Sequence, residues 1–348
     1  MINDITFNIN NNFDKLVEDK DIYFDDNYGK LYEDIEKGEA RVFSFSNEFG
    51  TIKNQFIQRE IPIKIDDNVY YDIVTPYGYG GPIILDCDTD KKDNLVSEYM
   101  KAFSSYCEDN NIVSEFIRFH PILNNAEDFK SVYNVSGIRK TLGTNLKDYD
   151  DPVQSEFSKS CRKNIRKALK EGVTFEIIEK PSDIGEFKSI YYSTMDRNKA
   201  TTYYYFTDEY FEKVLTLFKD NIIIVKANYK DKTIAQGLYF VYKNKIHIHL
   251  SGTLSEYLYL SPAYILRYAV TLWGKEKDYD IIHHGGGRTN SDEDTLYQFK
   301  KGFAKNTSFE FSIGKKIWNK AIYTSLCDSV RFDGDDNFFP AYRYKEDE

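Results

Sequence analysis

The sequence predicts a mixed α/β protein built in two halves, and three observations carry that prediction. Apolar runs with a two-residue period alternate with runs of helical period along the chain. The alternation is interrupted at "KDYDDP", residues 147–152, and then resumes. In the second half three strand-like runs follow one another with only "KDK" and "KNK" between them, turns short enough for an antiparallel meander.

The elements justify themselves in order. The first forty residues are acidic and end in a turn at "KGEA". "RVFSFS" (41–46) and "TIKNQFIQREI" (51–61) alternate around "NEFG" and read as a hairpin; "NVYYDIV" (68–74) reads as a further strand. Residues 93–106 have a helical period, and "IVSEFIRF" (112–119) returns to strand. In the second half a helix is expected over 153–170, then a strand at 173–178 and helices at 183–196 and 208–218. The meander follows at 221–229, 233–242 and 245–252. A helix at 262–275, a strand at 278–284, a helix from 293, a strand at 309–313 and a last helix from 315 complete the pattern. The division expected is 1–149, 150–334 and a poorly anchored acidic tail, 335–348.

Composition bounds the function. The chain has 348 residues with 41% apolar content, enough for two domains with buried cores. Residues 1–12 are polar, with no basic-then-apolar leader, and no apolar run reaches the ~18 to 20 residues of a membrane span. A cytoplasmic, soluble chain is expected. Cys87, Cys107, Cys161 and Cys327 are scattered, so reduced thiols are expected rather than a zinc or disulfide framework. A net charge of −10 argues against a general nucleic-acid coat but leaves room for a local basic site. The 29 tyrosines suit stacking surfaces, though codon bias explains them more simply.

One helix carries basic charge of a single sign. In "SKSCRKNIRKALKEG" (158–172), Lys159, Arg162, Lys163, Arg166, Lys167 and Lys170 form a stripe, with Phe157, Cys161, Ile165, Ala168 and Leu169 opposite. A solvated face is the plain alternative, yet such faces usually mix signs. The stripe suits an anion: a phosphate, a diphosphate or an RNA backbone.

Two glycine loops end strands, "TPYGYGGP" (75–82) and "HHGGG" (283–287). Glycine permits positive φ and close approach of a ligand, but neither loop is a dinucleotide or Walker fingerprint. His247 and His249 share a strand and His283 and His284 close another, without a carboxylate or cysteine at ligand spacing, so no metal is expected. His120, before Pro121, reads as structural.

Together, "TPYGYGGP", "CRKNIRKALKEGV", "HLSGT…LSPAYILRYAVTLWGKEKDYDIIHHGGG" and "LYQFKKGF" resemble the Fem family, the aminoacyltransferases that build peptidoglycan cross-bridges. The resemblance covers residues 21–317 and is strongest in the second half. It implies two GNAT-like (acyl-CoA N-acyltransferase-like) domains, each a mixed sheet flanked by helices, with the substrate cleft between them. It also implies a transfer site at a phenylalanine–lysine pair, matched by Phe299 and Lys300, with Lys301 competing for the lysine's role. Asp86 reads either as orienting the acceptor amine or as a capping or turn residue, and Tyr77 and Tyr79 either as lining the cleft or as rigid turn aromatics. Arg162 and Arg166 are expected to meet phosphates; His249, His284 and Gly286 complete the substrate-binding set.

Two departures refine the expectation. "SEYLYLSPAYIL" (255–266) lacks the glycine loop with which acetyltransferases hold CoA pyrophosphate, although Ser261 and Pro262 make a good helix start. The chain also lacks the helical-hairpin insertion of some Fem proteins and carries "GGP" where their first domain has R-G-P. The reading is a monomeric N-acyltransferase without a tightly bound cofactor. It would take its acyl group from aminoacyl-tRNA, or from acyl-CoA, and pass it to an amine of a peptidoglycan precursor or nucleotide-sugar. The alternatives are an acyl-CoA-dependent N-acetyltransferase and an inactive nucleotide-sugar or peptide-binding module.

Overall fold

A computed structural model of the protein describes residues 5–7, 20–330 and 338–344. The described residues form two compact units, one from those before 139 together with those after 309, the other residues 139–309. The sequence pattern alone suggests breaks at 149/150 and 334/335. Residues 310–330 and 338–344 therefore fold with the first unit.

In the first unit Glu39–Asn47 and Gly50–Glu60 form the expected hairpin, with Asn47 opposite Gly50. Ile5–Phe7 adds in parallel to Glu39–Asn47. The Gly50–Glu60 strand also pairs with Tyr71–Val74 and with Ile83–Cys87. Tyr71–Val74 lies parallel to Ile112–Arg118, and a parallel pair needs a crossover. The helix Lys92–Asp109 supplies it, burying Leu95, Val96, Tyr99, Phe103 and Cys107 against Phe43, Ile52, Phe56 and Ile117.

Two expectations near the C-terminus change. Ile313–Ile317 still pair with Ser114–Arg118, so the last helix begins at Lys320 behind an Asn319 cap and not at 315. The tail is anchored at residues 338–344: the Tyr342 ring is buried, its hydroxyl lies 2.7 Å from Ser114 Oγ, and Arg343 Nε donates to Asp72 at 2.5 Å. The rest of the expected tail lies outside the described residues.

In the second unit the strand order is Arg139–Asn145 (the end of a strand from Asn134), Ile281–Gly285, Lys245–Thr253, Lys232–Tyr242, Ile222–Tyr229 and Thr174–Glu179. The last four run antiparallel and contain the predicted meander, while Ile281–His283 lies parallel to Lys245–His247. Period-two alternation sends Ile223, Val225 and Ala227 into a core with Ile265, Leu266, Ala269 and Val270 of the helix Pro262–Glu276. Ile222 and Ile224 are buried on the other face. The helix expected over 153–170 is two helices, Pro152–Glu156 and Lys159–Lys170. Phe157 takes an extended conformation between them, and Ser158 caps the second by accepting the Cys161 N–H at 3.2 Å. No described helix is long and apolar enough to cross a membrane.

Candidate functional site

The strand Ile281–Gly285 ends at a buried histidine pair and turns at Gly285, whose φ of 73° favours glycine. The loop is then fixed from two sides. Arg139 Nη1 donates to the Gly287 carbonyl at 2.8 Å, and Asp294 accepts the Arg288 and Thr289 N–H groups at 3.0 and 3.1 Å. Asp294 also caps the helix Thr295–Lys301 by accepting the Tyr297 N–H at 2.8 Å. One carboxylate thus ties the loop to the helix that carries Phe299 and Lys300. The Tyr297 N–H, and then those of Thr289 and Arg288, pull its carboxyl below the usual range.

Lys300 is half-buried and turned back onto that loop, its Nζ donating to the Gly286 carbonyl at 2.6 Å. Burial, and then the positive charge of Arg267, lower its pKa to about 7; Asp294 opposes the shift, and Arg139 adds to it. Lys301 diverges: it is exposed, with Nζ 5.9 Å from the Tyr297 ring centroid. Geometry therefore separates two neighbours that sequence alone left in competition. The Phe299 ring packs perpendicular to Tyr264 at 5.3 Å and against Phe303 at 5.2 Å, and its carbonyl accepts the Gly302 N–H at 3.2 Å.

Arg267 and Thr144 belong to this cluster and were missed in the sequence. Arg267 is only 5% exposed, donates to the Tyr239 hydroxyl at 3.0 Å, and forms no ion pair among the described residues. Its signal was a lone charge within the apolar run "AYILRYAVTL". The Thr144 hydroxyl donates its single proton to the Phe303 carbonyl at 2.8 Å and lies 2.8 Å from His284 Nε2. The imidazole must then donate from Nε2, leaving Nδ1 as an acceptor, and that buried atom has no partner among the described residues. Burial, with Arg267 and Lys300 nearby, pushes the His284 pKa well down and keeps the ring neutral.

Lys300, Phe299, His284 and Gly286 thus converge within the second unit. The other candidates take other places. His249 is half-buried beside Tyr210, whose hydroxyl lies 2.5 Å from its Nε2, and burial lowers its pKa to about 3. It is a packed, neutral histidine against the Phe240 ring at 4.8 Å. Arg162 leaves the basic stripe: its guanidinium donates to the carbonyls of Phe157 and Gln154, the latter at 3.1 Å, bracing the link between the two helices. Arg166 is exposed, as is Leu169, which was expected to pack. Asp86 is exposed on the strand Ile83–Cys87, opposite Thr51. In the first unit Tyr77 and Tyr79 sit in a loop held by internal bonds. Tyr28 donates to the Tyr77 carbonyl at 2.9 Å, and Asn125 to those of Gly80 and Pro82 at 2.9 Å each. Tyr79 packs on Tyr23, 5.3 Å between centroids. His120, read as structural, is fully buried with Nε2 3.1 Å from Asp21.

A site with a fixed cation beside a neutral buried imidazole suits acyl transfer, and comparison with known proteins agrees. Residues 127–232 match the FemAB family. A UDP-N-acetylmuramoylpentapeptide-lysine N(6)-alanyltransferase of Weissella viridescens is 23% identical over 273 residues, 72% of this chain and 78% of that protein. The crystal structure of FemX is similar with a TM-score of 0.70 at 14% identity, over 92% of this chain and 98% of that one. The C-terminal domain of a lysylphosphatidylglycerol synthetase from Agrobacterium fabrum has a TM-score of 0.54 at 13% identity, over 91% and 93%. The chain is thus similar to Fem-type aminoacyltransferases, with a FemAB match over residues 127–232 and the fold of FemX.

Proposed function

We propose that the protein moves an aminoacyl group from aminoacyl-tRNA to a side-chain amine of a UDP-linked muramoyl-peptide precursor, in the cytoplasm and as a monomer. The observation that carries this reading is the half-buried Lys300, anchored on the Gly286 carbonyl beside Phe299. The neutral acceptor nitrogen attacks the ester carbonyl carbon; a C–N bond forms, and the carbonyl oxygen becomes an oxyanion. Lys300 in its charged form has three N–H donors, of which one is committed to Gly286. The other two are available to the oxyanion, where one placed donor is worth roughly 3 to 4 kcal/mol of barrier. Collapse breaks the bond from carbon to ribose oxygen, and the proton lost by the amine ends on that oxygen. The acceptor named for the Weissella relative is a pentapeptide lysine, which is the reason for choosing this precursor class.

The test is incubation with labelled aminoacyl-tRNA and a UDP-muramoyl pentapeptide bearing lysine, with the product read by mass. Wild-type protein should add one aminoacyl residue to the precursor, and Lys300→Ala should lose that activity at an unchanged fold. Transfer from acyl-CoA but not from aminoacyl-tRNA would overturn the donor assignment.

A further inference from the structure

The basic helix has a place in the structure that the transfer site does not explain. Lys159, Lys163, Arg166, Lys167 and Lys170 are all exposed, and they fall within about 100° of one another on the helix Lys159–Lys170. None of the five pairs with a carboxylate among the described residues. Elsewhere in the same unit exposed lysines do pair: Lys180 with Asp220, Lys232 with Glu256 and Lys277 with Glu179. Like charges three and four residues apart destabilise a helix. In a chain of net charge −10 acidic partners were not scarce, yet this stripe has none.

Its position is equally specific. The Ser158 N–H, at the head of this helix, donates to the Gly302 carbonyl at 2.8 Å, two residues past Lys300. The Phe157 ring meets the Phe303 ring at 5.1 Å. A Cβ on Gly302 would lie 2.5 Å from Cys161 Sγ, so the basic helix is seated tightly on the end of the helix that carries Phe299 and Lys300. From Lys159 to Lys170 the stripe runs about 16 Å, at ~1.5 Å per residue.

We propose that this stripe is the track for the RNA backbone of the aminoacyl donor, running away from the transfer site so that the esterified 3′ end reaches Lys300. The proposal rests on the donor assignment above and deepens it. A row of cations without an interleaved apolar face suits phosphates, which bind by counter-ion release. A membrane-lying helix also needs an exposed apolar face; here Cys161, Ile165 and Ala168 are buried in the unit, and only Leu169, at 37%, is exposed.

The test uses the full-length protein and its triple variant Lys163→Glu/Lys167→Glu/Lys170→Glu. Binding of deacylated tRNA is titrated between about 50 and 200 mM salt, the range over which phosphate contacts are read. The variant should lose at least tenfold in affinity, and its salt slope should fall by about two to three, at roughly 0.7 to 0.9 per lost phosphate contact. The KM for aminoacyl-tRNA should rise in step. A neutral variant, Lys163→Gln/Lys167→Gln/Lys170→Gln, should lie between the two, and circular dichroism checks that both fold. Lys101→Glu, at an exposed position of the helix Lys92–Asp109 in the first unit, should bind as wild type does. Equal affinity and slope in wild type and triple variant would overturn the proposal. So would lost binding to vesicles containing anionic lipid with tRNA binding intact, which would assign the stripe to a membrane surface. If stripe-dependent tRNA binding is found but wild type transfers nothing, the functional reading fails and the RNA track stands.

Discussion

Replacing Lys300 by methionine separates catalysis from stability, because the two are expected to move in opposite directions. The folded-state pKa of Lys300 is about 7, whereas an unfolded lysine titrates near ~10.4. Below pH 7 both states hold the proton, and the folded state carries the full penalty of a desolvated ammonium near Arg267. Between pH 7 and 10.4 the unfolded chain holds more protons, so stability rises with pH through that window. Some 3.4 units at ~1.36 kcal/mol each give a ceiling of roughly 4 to 5 kcal/mol. Because the side chain is partly exposed, about 2 kcal/mol is the working figure after solvent screening. Methionine keeps the methylene stem and removes the charge. Lys300→Met should therefore melt a few degrees higher than wild type at pH 6, with the gain shrinking by more than half at pH 9. Single-turnover transfer should fall by roughly 10² to 10³, the cost of one lost oxyanion donor. A variant that melts lower at pH 6 and still transfers normally would refute the reasoning, since the lysine would then be a packing element.

Other perturbations test other parts of the structure. If Lys300 acts as the charged donor, kcat/KM should decline as pH rises through about 7. Arg267→Met should move that limb upward, because it removes the positive charge that lowers the lysine's pKa; a limb that does not move would disconnect the two residues. In the first unit Glu115 is 2% exposed and accepts from Asn54 at 3.2 Å, and burial raises its pKa to about 7. The unfolded chain releases that proton nearer pH 4.5, so this group's contribution is full below 4.5 and is lost as pH rises to 7. Glu115→Gln should stabilise the fold at pH 8 by about 2 to 3 kcal/mol, read as a higher melting temperature, and should change it little at pH 4. Gly302→Ala would press a methyl group on Cys161 Sγ and should cost roughly 1 to 3 kcal/mol in denaturant unfolding. An unchanged midpoint would mean that the two helices are not tightly seated.

The sequence by itself determined whatever depends on neighbours along the chain. The hairpin at 39–60, the meander over 222–253 and the crossover helix were legible because their apolar periods are local and strong. The one-sided charge of residues 159–170 was legible for the same reason, and the pairing of Phe299 with Lys300 came through resemblance. Local reading failed where the signal came from remote segments. The strand Asn134–Asn145 has little apolar alternation, and is defined in the second unit by pairing with Ile281–Gly285. Two consecutive lysines look equivalent in a string of letters. Only the folded unit gives Lys300 the carbonyl of Gly286, the charge of Arg267 and the carboxylate of Asp294 as surroundings, while Lys301 stays exposed. His284 acquires its tautomer from a threonine 140 positions away in sequence. Proton affinity and tautomer depend on desolvation and on charges brought together in space, so they exist only once the chain has folded.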